Sequence, residues 1–128
     1  MMNGGAISWR SRKQKIVSLS SMEAEYIALT DAVKEGMWLK KMELELKRKN
    51  NTLIIFEDNQ SAIKTANNKI HNDRSKHIDV RYHFIRELIE YDKLKLVYCP
   101  TQNMVADIMT KALGTIAHER LRMAMGLH

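Results

Sequence analysis

The run Leu53-Ile54-Ile55-Phe56 stops abruptly on two carboxylates, Glu57 and Asp58, and gives way at once to Asn59-Gln60-Ser61-Ala62-Ile63. A short apolar stretch rich in Ile and Phe reads as a buried strand, and the polar stop after it reads as a helix start. A strand that feeds directly into a helix is the joint of an α/β layered domain. In open α/β sheets the chemistry collects at the carboxyl ends of the strands, so Asp58 is the first candidate functional residue. The competing reading is a helix cap, with Asp58 or Asn59 accepting a bond from a free N–H near Gln60.

The chain around this joint has 128 residues, 45% of them hydrophobic and 28% charged, which suits one globular domain. No apolar run approaches the ~20 residues of a membrane span, and the amino terminus lacks the basic-then-apolar pattern of a secretory signal. A soluble protein of the cytoplasm or nucleus is expected. The single cysteine, Cys99, excludes an internal disulfide and any multi-cysteine zinc site. A formal net charge of +6 and a pI near 9.5 favour a polyanionic partner.

Upstream of the joint, Ala6-Ile7-Ser8-Trp9 and Lys15-Ile16-Val17-Ser18-Leu19 predict a β-hairpin around the basic turn Arg10-Ser11-Arg12-Lys13. That turn is a candidate phosphate contact through Arg10, Arg12 and Lys13, or simply a solvated loop. Ser20 and Glu23 have capping-box spacing and open a helix expected over residues 21–47. Met22, Glu25, Tyr26, Leu29, Val33 and Gly36 fall on one face of it. Glu25 therefore either overhangs the sheet edge or needs a cation, a metal or strong donors, because burying a carboxylate costs several kcal/mol otherwise. The cations Lys47, Arg48 and Lys49 suit its C-terminal end.

Downstream, residues 60–67 predict a short helix, Asn67-Asn68-Lys69 a turn, and residues 70–77 an ordered loop. Ile78, Tyr82, Ile85 and Ile89 predict a second long helix over residues 79–91. His77, Asp79 and His83 do not share a familiar metal-ligand spacing. Leu94-Lys95-Leu96-Val97-Tyr98 alternates into a strand that Pro100 closes. Asp107 lies in the first turns of a helix expected over residues 105–113, where the helix dipole alone would account for it. Residues 116–125 predict a weaker helix in a C-terminal tail.

Three acids, Glu25, Asp58 and Asp107, thus stand at element ends without a catalytic Ser, Cys or His beside them, a pattern that suits hard divalent ions such as Mg²⁺ or Mn²⁺. The words around them are more specific. Leu19-Ser20-Ser21-Met22-Glu23-Ala24-Glu25-Tyr26, Glu57-Asp58-Asn59-Gln60-Ser61-Ala62-Ile63, Lys76-His77-Ile78-Asp79-Val80-Arg81-Tyr82-His83-Phe84-Ile85-Arg86-Glu87 and Val105-Ala106-Asp107-Ile108-Met109-Thr110-Lys111 resemble, in that order, the ribonuclease H region that ends copia-type retrotransposon Pol polyproteins. The resemblance covers nearly the whole chain. It implies a ribonuclease H-like mixed sheet flanked by helices, two Mg²⁺ (or Mn²⁺) ions held by Glu25, Asp58 and Asp107, and hydrolysis of the RNA strand of an RNA/DNA hybrid during reverse transcription. Asn59, Gln60, Arg74, Lys76 and His77 join Arg10, Arg12 and Lys13 as candidate nucleic-acid contacts, and a reverse transcriptase segment is the expected upstream neighbour.

The family also carries a metal-binding Asp on a first strand upstream of Gly-Gly-Ala-Ile-Ser-Trp, and only Met1, Met2 and Asn3 precede Gly4 here. The expectation is therefore an N-terminally truncated domain with impaired activity, with Glu57 and Asp31 as the first substitutes to test. The alternatives are a nucleic-acid-binding remnant that does not cleave and a domesticated interaction domain.

Overall fold

The computed structural model describes residues 5–15, 20–46, 52–68 and 79–127. Its contacts divide the chain into two compact units, one of residues 18–98 and one of residues 1–17 with 99–128.

The 18–98 unit is built on the joint. Strand β1 (Leu53–Glu57) runs parallel to β2 (Leu94–Tyr98), in a register that sets Leu53 against Leu94 and Glu57 against Tyr98. Parallel neighbours need a long crossover, and two helices supply it, α2 (Gln60–Asn67) and α3 (Asp79–Glu90). Alternation along β1 turns Leu53, Ile55 and Glu57 to one face and Ile54 and Phe56 to the other. On the first face Leu53, Ile55 and Leu96 back a core of Tyr26, Leu29 and Val33 from α1 (Ser21–Glu45), Ala62 and Ala66 from α2, Tyr82 and Ile85 from α3, and Leu94. On the other face Ile54 and Phe56 remain 53% and 61% exposed.

Helix α1 is the long helix predicted from the capping box. Ser20 Oγ accepts from the Glu23 N–H at 3.1 Å, which fixes its first turn. Gly36 lets it lie close on β1: a Cβ there would stand 2.8 Å from Leu53 Cδ2. Tyr26 and Tyr82 meet edge to face with centroids 4.3 Å apart and pin α3 to α1. The cations Lys47, Arg48 and Lys49, expected at the end of α1, lie outside the described residues.

In the other unit, two 3-10 turns, Thr101–Asn103 and Val105–Met109, precede α4 (Thr115–Ala124). This corrects the α-helix expected over residues 105–113. The Asp107 N–H bonds Met104 O and the Thr110 N–H bonds Asp107 O, an i to i+3 pattern that ends at Thr110. The expected hairpin is also revised. Residues 6–9 form no strand, because the Ala6 N–H is committed to Met125 O, 3.0 Å away at the end of α4. Residues 16–19, its second half, lie outside the described residues. No helix among the described residues is long and apolar enough to cross a membrane.

Candidate metal centre

The cap that competed with function at the joint belongs to Asn59. Its Oδ1 accepts from the Ala62 N–H at 3.0 Å and opens α2. That assignment leaves Asp58 without a capping duty. The backbone N–H of Asn59 in turn donates to Glu57 Oε1 at 3.0 Å, so one residue both starts the helix and ties down the last side chain of the strand.

Glu57, Asp58 and Glu25 converge there. Each offers a carboxylate oxygen, and the three oxygens lie within 4.8 Å of one another. Glu25 reaches the group from the first turns of α1, half-buried, so it neither overhangs in water nor sinks into the core. Glu57 is 6% exposed. Burial drives its carboxyl up from an ordinary 4.5 to about 7; the bond from the Asn59 N–H opposes the rise, while the charges of Glu25 and Asp58 add to it. Below about pH 7, with no cation bound, Glu57, the most enclosed of the three, holds its proton.

The donor set fits a hard divalent ion. Oxygens on one Mg²⁺ at about 2.0–2.1 Å are separated by no more than roughly twice that length, comparable to the spacing of these three. From sequence alone Glu57 stands only as a substitute acid. Its signal was the alternation Leu53, Ile55, Glu57, which points the last of the three inward with the apolar pair.

Asp107 stands in the other unit. It is nearly buried, and its Oδ2 pairs with Lys111 Nζ at 2.9 Å, one turn along. Its association with Glu25 and Asp58 rests on the resemblance. Arg10, Arg12 and Lys13 are exposed, and so is Gln60. Arg74, Lys76 and His77 lie outside the described residues.

No protein-family model matches the chain, and no solved structure matches it with significance. Curated proteins do. The retrovirus-related Pol polyprotein from transposon TNT 1-94 of Nicotiana tabacum is 43% identical over 126 residues, 98% of this chain and 10% of the polyprotein. That from transposon RE1 of Arabidopsis thaliana is 35% identical over 122 residues, 94% of the chain and 8% of the polyprotein. The transposon Ty1-DR5 Gag-Pol polyprotein of Saccharomyces cerevisiae is 27% identical over 114 residues, 88% of the chain and 6% of the polyprotein. The chain thus spans a tenth or less of the length of these relatives, and its homologues are copia-type retrotransposon Pol polyproteins.

Proposed function

We propose that this chain is a ribonuclease H domain of a copia-type Pol polyprotein, hydrolysing the RNA strand of an RNA/DNA hybrid. The observation that carries the reading is the carboxylate group of Glu25, Glu57 and Asp58 at the strand-to-helix joint, where an α/β sheet places its chemistry. Glu25 and Asp58 would hold Mg²⁺ or Mn²⁺ with Asp107, as the resemblance implies, and Glu57 adds a third acid on the 18–98 unit itself. Ions bound there supply Lewis acidity, activating water and stabilising the leaving oxygen.

The chain's own part is positional and electrostatic. In the hydrolysis a water oxygen bonds to phosphorus as the P–O bond to the leaving alkoxide breaks, and the two protons of water end on the leaving oxygen and in solvent. Glu25 and Asp58 present fixed negative charge to the cation, from a helix start and a strand end that share one core. Below about pH 7 Glu57 holds a proton while the group is metal-free, which lowers the repulsion that three carboxylates would otherwise exert on the joint. Lys111 holds the Asp107 carboxylate in one orientation.

The test is cleavage of a labelled RNA/DNA hybrid with Mg²⁺. Asp58→Asn and Glu25→Gln are each expected to lower the rate at least ~100-fold, about 2.7 kcal/mol in barrier height. Mg²⁺-dependent cleavage that survives both substitutions overturns the reading. A second reading, a nucleic-acid-binding domain that does not cut, is favoured by the exposed Trp9 and the exposed cations Arg10, Arg12 and Lys13. Salt-dependent hybrid binding without cleavage separates it from the first.

A further inference from the structure

The far end of α1 carries a different surface. Lys40 and Lys41, with Met37 and Leu44 one turn to either side, face the turn that carries Tyr91 and Lys93 across a cavity of about 400 Å³. Fifteen residues of helix separate Glu25 from Lys40, roughly 22 Å at the ordinary helical rise, so this cavity is distinct from the acid group. It lies wholly within the 18–98 unit.

Its chemistry is cationic and aromatic. Three ammoniums line it against a single carboxylate, Asp92. Among the described residues, no ion pair engages Lys40, Lys41 or Lys93. Tyr91 lines the cavity as well and is 67% exposed, so its ring is open to a ligand. The turn that presents Tyr91 and Lys93 is held in place: Thr52 Oγ1 donates to Asp92 O at 2.9 Å, and the Lys93 N–H donates to Leu88 O at 2.9 Å. Asp92 itself adopts a φ of 54°, a left-handed conformation that Asp tolerates better than most residues. The backbone that presents Tyr91 and Lys93 is therefore fixed before any ligand arrives.

We propose that this lysine-walled cavity binds the phosphodiester backbone of a nucleic-acid strand, with a base resting on Tyr91 and on the apolar floor of Met37 and Leu44. Ammoniums supply the phosphate contacts, and the ring supplies a stacking platform that accepts any base. The volume is within the range of small-ligand pockets, near the size of one nucleotide. An acidic peptide is a poorer fit. Peptides are recognised along an extended groove or a strand edge, and a compact cavity with one ring provides neither. The site goes beyond hydrolysis at the acid group and does not depend on it.

The experiment is fluorescence anisotropy of the full chain with a labelled single strand of about 20 nucleotides, in EDTA so that no cleavage enters. The triple variant Lys40→Gln/Lys41→Gln/Lys93→Gln is expected to weaken binding at least about tenfold and to flatten the salt dependence by about one to two counterions. Tyr91→Ala is expected to weaken it by roughly tenfold with the salt dependence unchanged. Removing three exposed lysines elsewhere, Lys34→Gln/Lys64→Gln/Lys95→Gln, is the charge-matched control. Equal losses in the two triple variants overturn the proposal in favour of diffuse attraction, as does unaltered binding in the cavity variant. Competition by polyglutamate as effective as by unlabelled strand overturns it in favour of an acidic peptide. Thermal melts confirm that each variant is folded, and Lys41→Glu replaces the triple if that one is not. Because cleavage is not read, an inactive acid group leaves every one of these outcomes unchanged.

Discussion

Glu57 couples the acid group to the stability of the domain. Its folded pKa is raised, so the protonated side chain suits the fold and the ionised one does not. The resulting stabilisation is fully present below the ordinary 4.5 and is lost as pH rises through about 7. Without divalent ions, Tm should therefore fall between about pH 4.5 and pH 7, with a contribution on the order of 3 kcal/mol from this residue. Glu57→Gln should abolish that part of the slope, and a Tm that keeps its full pH dependence in the variant would contradict the assignment. Mg²⁺ reverses the preference, since a cation binds the carboxylate and expels the proton. Affinity measured by calorimetry should rise about tenfold from pH 6 to pH 8, with proton release. Tyr26 gives the opposite kind of test. Its hydroxyl is fully buried and, among the described residues, has no hydrogen-bond partner. Burial, reinforced by Tyr82, also keeps it from ionising. Removing a buried unsatisfied hydroxyl relieves a desolvation cost, so Tyr26→Phe should stabilise by about 1–2 kcal/mol in urea titration. A destabilised Tyr26→Phe would mean that the hydroxyl has a partner such as a bound water.

Among the elements, α1 and β1 depend on close approach at Gly36. An alanine there gains up to ~1 kcal/mol of helix propensity but pushes against the end of the Leu53 side chain, which can turn aside, so Gly36→Ala should be nearly neutral. Gly36→Val gains little propensity and adds bulk that Leu53 cannot clear, so it should cost about 1–3 kcal/mol. Equal stability of the two variants in chemical denaturation would show that the helix and strand separate freely at this point. The elements that pack this way are the ones the sequence made readable. A capping box, a 3.6-residue stripe and an apolar run with a polar stop are local signals, and each survived folding. The N-terminal segment failed as a strand because its backbone bond goes to Met125, more than a hundred residues away, which no local pattern encodes. Asp107 fell in a 3-10 turn because a helix-like pattern of five residues does not reveal which hydrogen bond will close it. At the acid group, Asp58 and Glu25 are legible from position, whereas Glu57 stands in the sequence only as a substitute acid although its alternation with Leu53 and Ile55 points it inward. The lysine-walled cavity was illegible for a different reason: it is assembled from α1, Thr52 and the turn after α3, three segments that meet only in the fold.

At the scale of the whole molecule, the sheet of the 18–98 unit carries its core on one face and leaves Ile54 and Phe56 on the other. These two side chains lie two residues apart on the same side of β1, so their exposed surfaces adjoin. Val97, registered against Phe56, extends the patch, and Lys95, registered against Ile54, is the charge that interrupts it. Adjacent exposed apolar groups on a strand favour association, because covering them recovers about 25 cal/mol per Å². The net charge of +6 opposes close approach of two copies and is itself screened by salt. Self-association should therefore grow with ionic strength, the reverse of the salt response expected for nucleic-acid binding. Ile54→Thr/Phe56→Thr places β-branched residues at both strand positions and removes most of the apolar surface, so the double variant should remain monomeric at salt concentrations where the parent associates. Its Tm should change little, since neither side chain contributes to the core. Sedimentation velocity of both proteins across a salt series is the measurement. If the double variant associates as readily as the parent, the adhesive surface lies elsewhere, and the exposed Trp9 and Ile7 of the other unit become the next residues to replace.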